Sequence, residues 1–191
     1  MKKCVCFLLT GFVFMITLFL LILPVKSFSQ IEFHQYGIIK NYEQGSDIDV
    51  MDMNNDGLLD IISVAKEHNN SVSWWENQGY NMFEEHIIDE NMESHCRYVT
   101  AVDIDFDQDA DVIVAVIYSN DIIWYQNDGN QNFTPIIIDS NLRGAHTLDI
   151  KDLDDDGDLD VLCSGFDNIN GEGEIAWWEN DGTGATWIKH V

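Results

Sequence analysis

The chain has 191 residues, of which 34 are acidic and nine are lysine or arginine, and its net charge is −25. Nucleic acids and anionic membranes are bound through basic patches, so this composition argues against both as partners. Aromatic residues still make up 12% of the chain and recur periodically. That pattern favours a folded domain that binds cations over a disordered acidic chain.

The first 29 residues have the pattern of a secretory signal peptide. Two lysines precede an apolar stretch at residues 4–23, and small residues follow, with cleavage expected after Ser29. We therefore expect a secreted or cell-envelope protein. An uncleaved N-terminal anchor is the alternative, because the stretch is long enough to span a bilayer. Cleavage would leave one domain, residues 30–191, with six basic and 34 acidic residues and a net charge of −28.

Three acidic nonapeptides follow, which we call the acidic loops. Residues 52–60 read DMNNDGLLD, residues 103–111 read DIDFDQDAD, and residues 152–160 read DLDDDGDLD. Oxygen ligands at alternate positions of a tight loop can converge on one hard cation such as Ca²⁺, whereas the same carboxylates without a cation would repel one another. The candidate side-chain ligands stand at loop positions 1, 3, 5 and 9: Asp52, Asn54, Asp56, Asp60, Asp103, Asp105, Asp107, Asp111, Asp152, Asp154, Asp156 and Asp160.

These loops are predicted to join strands rather than helices. An EF-hand needs a bidentate glutamate at its twelfth position, where this chain has serine, valine and cysteine. Short runs rich in isoleucine and valine follow each loop, which is typical of strands. Gly57 and Gly157 permit a sharp bend in two loops. The middle loop has Gln108 at that place, which leaves its turn and its occupancy open.

An aromatic strand with a turn signal follows each acidic loop. Residues 73–79 read SWWENQG, residues 123–129 read IWYQNDG, and residues 176–182 read AWWENDG. The Asn-Asp-Gly and Asn-Gln-Gly endings predict hairpin turns. Adjacent rings on a strand face opposite sides of its sheet, which favours packing on both faces, with a sugar-stacking platform as the alternative. The aromatic residues are Trp74, Trp75, Trp124, Tyr125, Trp177 and Trp178.

A fourth strand completes the repeat. It begins at Phe83 and again at Phe133, and similar stretches occur at residues 33–39 and 187–191. Four short strands in about 50 residues are the period of a β-propeller blade, and no helical period is present. The sequence therefore predicts an all-β fold with three blades of four antiparallel strands, a partial propeller. The repeats are expected at about residues 33–82, 83–132 and 133–186.

The D-x-[DN]-x-D-x-x-x-D loop and the W-[WY]-[EQ]-N-x-G strand together resemble the FG-GAP/VCBS repeat, which also builds the calcium-bearing blades of integrin α-chain heads. The resemblance covers nearly all of the chain after the signal. It implies one structural Ca²⁺ per repeat, in the loop between the first two strands of each blade. It also implies backbone carbonyl ligands at the seventh loop position: Leu58, Asp109 and Asp158.

The number of repeats departs from the family pattern. Family propellers close with about seven blades, whereas this chain holds three. A three-bladed wedge leaves two apolar faces uncovered, which favours self-association. We interpret the chain as a fragment of a longer reading frame, with ring completion by other copies as the alternative.

The histidines and cysteines indicate no catalytic site. No G-x-S-x-G, H-E-x-x-H or P-loop motif is present. His86 and His190 hold equivalent repeat positions, which favours a structural role. Cys96 and Cys163 could form a disulfide in an exported protein, or they could be two buried free thiols. We predict no catalytic residues.

The sequence therefore predicts an exported, calcium-stabilised binding or adhesion module for a surface protein or a polysaccharide. One alternative is part of a secreted propeller enzyme of the carbohydrate lyase or dehydratase type. Another is a fragment without separate activity. The sequence does not choose the ligand.

Overall fold

The computed structural model describes residues 35–38, 45–65, 71–90, 92, 95–167 and 171–191. The predicted signal peptide lies outside this part of the chain. Of the strand expected at residues 33–39, the structure describes residues 35–38, and these form no strand. Within the described ranges, no helix is long and apolar enough to cross a membrane. Residues 36–191 form one compact unit.

The described residues form twelve strands in three antiparallel sheets of four. Sheet 1 contains β1 (Gly45–Met51), β2 (Asp60–Ala65), β3 (Val72–Asn77) and β4 (Phe83–Asp89). Sheet 2 contains β5 (Cys96–Val102), β6 (Asp111–Val116), β7 (Asp121–Asn127) and β8 (Phe133–Asp139). Sheet 3 contains β9 (Ala145–Lys151), β10 (Asp160–Asp167), β11 (Glu172–Asn180) and β12 (Trp187–His190).

Each sheet follows the chain order of its strands, as the blade of a propeller does. The prediction of an all-β fold with three four-stranded blades is therefore confirmed. The sheets begin one strand later than the sequence repeats. The strand at Phe83 pairs with β3, with Trp74 opposite His86, and so completes sheet 1 rather than opening sheet 2. A short hairpin favours this pairing, whereas a repeat pattern alone does not say which strand comes first.

The core consists of two apolar clusters, one on each face of sheet 2. Trp74 and Tyr125 belong to the cluster shared by sheets 1 and 2. Trp124 and Trp178 belong to the cluster shared by sheets 2 and 3. The adjacent rings of Trp124 and Tyr125 thus point to opposite faces of one strand, each with only 1% of its surface exposed. Packing accounts for the aromatic pair of the central blade.

The two cysteines after the signal lie in different clusters and are free. Cys96 belongs to the cluster between sheets 1 and 2, and Cys163 to the cluster between sheets 2 and 3. Burial raises the pKa of both thiols to about 12, so that both stay neutral at physiological pH. Of the two alternatives drawn from the sequence, the structure has the buried free thiols.

A buried aspartate and an asparagine tie each acidic loop to the hairpin that follows β3, β7 or β11. In sheet 2, Asp111 accepts hydrogen bonds from the backbone N–H of Ile104 at 3.4 Å and of Asn127 at 2.8 Å. The Asn127 amide donates to the carbonyl of Ala110 at 3.1 Å, and its oxygen accepts from two hairpin N–H groups. The equivalent pairs are Asp60 with Asn77 and Asp160 with Asn180. We call these pairs the Asp–Asn clamps.

The clamp generates a stability prediction. Asn127→Ala removes the side chain that satisfies the buried carbonyl of Ala110 and the hairpin N–H groups. We expect the free energy of unfolding to fall by about 2–3 kcal/mol, because buried polar groups lose their partners. Asn130→Ala is the control in the same hairpin: its side chain is exposed, and the expected change is within about 0.5 kcal/mol. If urea unfolding shows that the two variants lose the same free energy of unfolding, the stabilising role of the clamp would be contradicted.

Candidate metal centres

The three acidic loops have the same backbone shape and connect the first two strands of each sheet. Each loop has two residues with positive φ, at its fourth and sixth positions. The fourth-position residues are Asn55, Phe106 and Asp155, with φ of 59°, 57° and 63°. The sixth-position residues are Gly57, Gln108 and Gly157, with φ of 88°, 78° and 102°. Gln108 therefore adopts the left-handed conformation, and the middle turn that the sequence left open is formed.

The first, third and fifth positions of each loop come together. Carboxylate oxygens of Asp103, Asp105 and Asp107 lie within 4.8 Å of one another, and so do those of Asp152, Asp154 and Asp156. In the first loop, the N–H of Asp56 donates to Asp52 Oδ1 at 3.0 Å and to Asn54 Oδ1 at 3.1 Å. That shared donor holds the corresponding oxygens of the first loop close to each other.

The ninth-position residues, Asp60, Asp111 and Asp160, form the clamps. Both carboxylate oxygens of each one accept a backbone hydrogen bond, and all three side chains are buried. An ionised carboxylate offers about four lone-pair sites, so two hydrogen bonds still leave two sites for a cation. Burial raises the pKa of Asp60, and it raises the pKa of Asp111 to about 7. Asp60 and Asp111 therefore carry a desolvation cost that a nearby cation would offset.

The seventh-position residues are held by their backbone. The N–H groups of Leu58, Asp109 and Asp158 donate to the fifth-position carboxylate at 2.8, 2.9 and 2.9 Å. The side chain of Asp109 turns to the neighbouring loop, where its Oδ1 accepts from Asn55 Nδ2 at 3.1 Å. The side chain of Asp158 lies against Gly182 of the β11–β12 hairpin. The side-chain carboxylates of Asp109 and Asp158 thus point to groups outside the cluster formed by the first, third and fifth loop positions.

A second observation, the hydrogen bonding of its carboxylate oxygens, also indicates that the middle loop suits a hard cation. Oδ1 of Asp103 and Oδ1 of Asp105 are buried and accept no hydrogen bond in the described part of the chain. Leaving a buried carboxylate oxygen without a partner is costly. Burial raises the pKa of Asp107, and the carboxylates of Asp105 and Asp103 raise it further. An all-oxygen set of this kind suits Ca²⁺ or Mg²⁺ and does not suit soft metals.

One further residue in each blade reaches the acidic loop, and the sequence reasoning missed it. Glu76 Oε1 accepts a hydrogen bond from Asn54 Nδ2 at 3.0 Å, and Gln126 Nε2 donates to Asp105 Oδ2 at 2.7 Å. In each of these two blades an amide faces a carboxylate. The third blade has Glu179 and Asp154 at the same two positions, and therefore two carboxylates. The signal that could have found them is the [EQ] position of the aromatic strand.

The third loop consequently carries the highest negative charge. Desolvation raises the pKa of Asp154, and the carboxylates of Asp156, Asp160 and Glu179 raise it further. Glu179 Oε2 lies 2.7 Å from His190 Nε2, and the His190 ring stacks on Trp177 with centroids 4.3 Å apart.

The Glu–His–Trp arrangement recurs in the first blade. Glu76 Oε2 lies 2.9 Å from His86 Nε2, and the His86 ring stacks on Trp74 with centroids 4.4 Å apart. Carboxylate and imidazole atoms of Glu76, Glu84 and His86 also come within 4.8 Å of one another. Because the same contacts occur in both outer sheets, the two histidines take part in blade packing, as their equivalent repeat positions predicted.

Comparison with solved structures agrees with the β fold. The chain is similar in fold to part of an Agrocybe aegerita lectin described as recognising non-reducing terminal N-acetylglucosamine, with a TM-score of 0.51 and 21% identity. The match covers 73% of this chain and 36% of the lectin, so the chain spans about a third of that protein's length. No curated protein sequence matches the chain.

A family comparison identifies the repeat itself. The family model of the FG-GAP-like repeat matches residues 52–114 and 103–163. The two matches overlap, and together they cover more than half of the chain. Each contains two consecutive acidic loops and the aromatic strand between them. The chain belongs to the FG-GAP-like repeat family.

Proposed function

We propose that this chain is an exported, calcium-stabilised binding module whose ligand is a polysaccharide or a surface protein. The observation that carries the proposal is the threefold recurrence of one unit: an acidic loop with converging oxygens, a clamp and an aromatic strand. The shared fold with a lectin supports a carbohydrate ligand. Membership of the FG-GAP-like repeat family supports a binding role of the same kind.

In this proposal, calcium has a structural role, one ion for each loop. The first, third, fifth and ninth side chains would hold it, together with the seventh-position carbonyls of Leu58, Asp109 and Asp158. The ion would supply positive charge that cancels the mutual repulsion of the carboxylates. Extracellular modules bind calcium with dissociation constants of about 10⁻⁴–10⁻³ M. At millimolar calcium, each site then contributes about 0.4–1.4 kcal/mol to the free energy of unfolding.

Export is part of the same proposal. Sites of this affinity fill only where free calcium is near millimolar, which is a property of extracellular fluid. The lysines and apolar stretch of residues 2–23 supply the export signal. Three filled loops would also reduce the net charge of −28 by six, which weakens the repulsion between the blades.

The outer face of sheet 3 supports self-association as a further part of the proposal. On β11, Ala176 and Trp178 pack against sheet 2, so Ile175 and Trp177 face the other way. Ile175 is 71% exposed, and Ile188 on β12 is 52% exposed. A further blade or a second copy of the chain would cover this apolar face.

The calcium assignment predicts a change in stoichiometry. Asp156→Ala removes a fifth-position ligand, and we expect the chain to bind about one calcium ion fewer in isothermal titration. Asp155→Asn is the matched control, because it also removes one charge from the third loop, and asparagine tolerates the positive φ of 63° found there. Its stoichiometry should equal that of the unmodified chain. An identical stoichiometry in the two variants would mean that Asp156 binds no ion.

The binding function is tested with a panel of immobilised polysaccharides and cell-surface proteins. We expect at least one member to retain the protein in the presence of calcium, and soluble polymer incubated with the protein to keep its length. Shortened polymer or the release of reducing ends would identify an enzyme instead. Failure to retain the protein on any member, with calcium bound and the fold intact, would contradict the proposal.

A further inference from the structure

The strands β1, β5 and β9 bring three equivalent residues to one pocket. Ser46, Arg97 and His146 are the second residues of these strands, and each stands six positions before the first aspartate of its acidic loop. All three line a pocket of about 270 Å³. The acidic loops follow the ends of the same strands, whereas the pocket lies at their beginnings. The pocket is therefore at the opposite end of the inner strands from the candidate metal centres.

Arg97 carries a charge that no described carboxylate neutralises. Four lysine or arginine residues lie in the described part of the chain, and three of them make salt bridges. These are Arg143 with Asp167 at 3.4 Å, Lys151 with Asp149 at 3.9 Å, and Lys189 with Glu174 at 2.8 Å. No carboxylate of the described residues lies within 4.0 Å of the Arg97 guanidinium. In a chain with 34 acidic residues, such a cation in a pocket points to an external anion.

The guanidinium is held in place by a neighbouring blade. Arg97 Nε donates a hydrogen bond to Nε2 of His146 at 3.1 Å. This bond needs His146 to be neutral at Nε2, so the histidine orients the guanidinium without competing for an anion. The terminal nitrogen atoms make no hydrogen bond with other described residues, and a pair of parallel N–H groups suits a carboxylate. A fixed donor pair of this kind matches the two oxygen atoms of one carboxylate.

Aromatic side chains also line the pocket. Tyr118 is 68% exposed and Phe166 is 48% exposed. The Tyr118 ring lies 4.7 Å from the ring of His95, at an angle of 49°. Exposed rings next to a few fixed polar groups are typical of small-molecule pockets. The volume is just below the usual range of about 300–1,000 Å³, which suits a single sugar ring.

We propose that this pocket binds a carboxylate-bearing sugar of the uronic acid type, with the carboxylate on Arg97 and the sugar ring against Tyr118 and Phe166. Ser46 supplies a hydroxyl whose oxygen is buried and makes no hydrogen bond with described residues. This proposal rests on the proposed binding function and names the ligand class. It commits to a sugar rather than an acidic peptide because of the aromatic wall and the small volume.

The negative charge of the whole chain limits the form of the ligand. At physiological salt, charges more than about 8 Å apart are largely screened, so the acidic loops, at the opposite end of the inner strands, act only weakly on a carboxylate at Arg97. A long polyanion would also meet the acidic surface outside the pocket and would be repelled. The thiol of Cys96, which lines the pocket, adds no charge, because burial raises its pKa to about 12. The site is therefore matched to a terminal acidic sugar.

The test is a titration with methyl glucuronide and with methyl glucoside, using protein purified after expression of the full chain, in millimolar calcium. We expect the glucuronide to bind at least about tenfold more tightly than the glucoside, as one lost charge-assisted hydrogen-bond pair implies. Arg97→Gln should abolish this preference. Arg143→Gln is the matched control, because it removes the same charge at an exposed residue outside the pocket, and it should keep the preference.

A second variant keeps the proposal testable if Arg97→Gln fails to fold. Tyr118→Ser changes an exposed side chain and should weaken the binding of both sugars by about threefold or more. The proposal is overturned if the folded protein binds no glucuronide, if Arg97→Gln keeps the preference, or if acetate or an acidic peptide binds as tightly as the glucuronide. Retention on neutral polysaccharide with no effect of Arg97→Gln would overturn this inference and leave the proposed binding function intact. Retention on no ligand at all would contradict both.

Discussion

The crowding of carboxylates in the turn between the first two strands of each blade is the constraint on which the rest of the structure depends. Unit charges about 4 Å apart interact by about 4 kcal/mol in surroundings that are partly screened from water. The described chain brings three such oxygens within 4.8 Å in two of its turns. A cation is the simplest source of the compensating charge. In our proposal, the folded state of this domain is therefore linked to the ions around it.

The clamps explain how this charge density is tolerated within a small domain. Asp111 and its equivalents fix the acidic loop to the following hairpin through backbone N–H groups, so the loop shape does not depend on the ion alone. The two ends of the inner strands then have different chemistry. One end carries the acidic loops, and the other carries a pocket with an arginine that no described carboxylate neutralises. In our proposal, stability and recognition are in this way separated along the same three strands.

Much of the fold could be predicted because the same residues recur. The acidic loops and the Trp-Trp or Trp-Tyr pairs repeat at fixed places, and the strands follow from their apolar runs. The strand at which each sheet begins could not be predicted, because a repeating pattern does not show which four consecutive strands are hydrogen-bonded into one sheet. The double role of Asp111, as clamp and candidate ligand, was also beyond the sequence, because a pattern names a residue without its hydrogen bonds.

The pocket could not be predicted for the opposite reason. Ser46, Arg97 and His146 occupy one repeat position but differ chemically, so a search for identical residues passes over them. Glu76, Gln126 and Glu179 were visible in the aromatic strand, yet their contact with the loop depends on how the blade folds back on itself. Differences between repeats, rather than their identity, mark the positions where this chain acquires its own properties.

Thermal unfolding of the protein in millimolar calcium and in chelator tests the central claim most directly, that the acidic loops hold structural cations. Three sites at about 0.4–1.4 kcal/mol each, and about 2–4 °C for each kcal/mol, predict that calcium raises the unfolding midpoint by about 2–17 °C. The midpoint should rise with calcium concentration. Magnesium at the same concentration should raise the midpoint less, because Mg²⁺ requires a nearly octahedral geometry and gives up its water ligands reluctantly. A midpoint that is the same in calcium and in chelator would contradict the account.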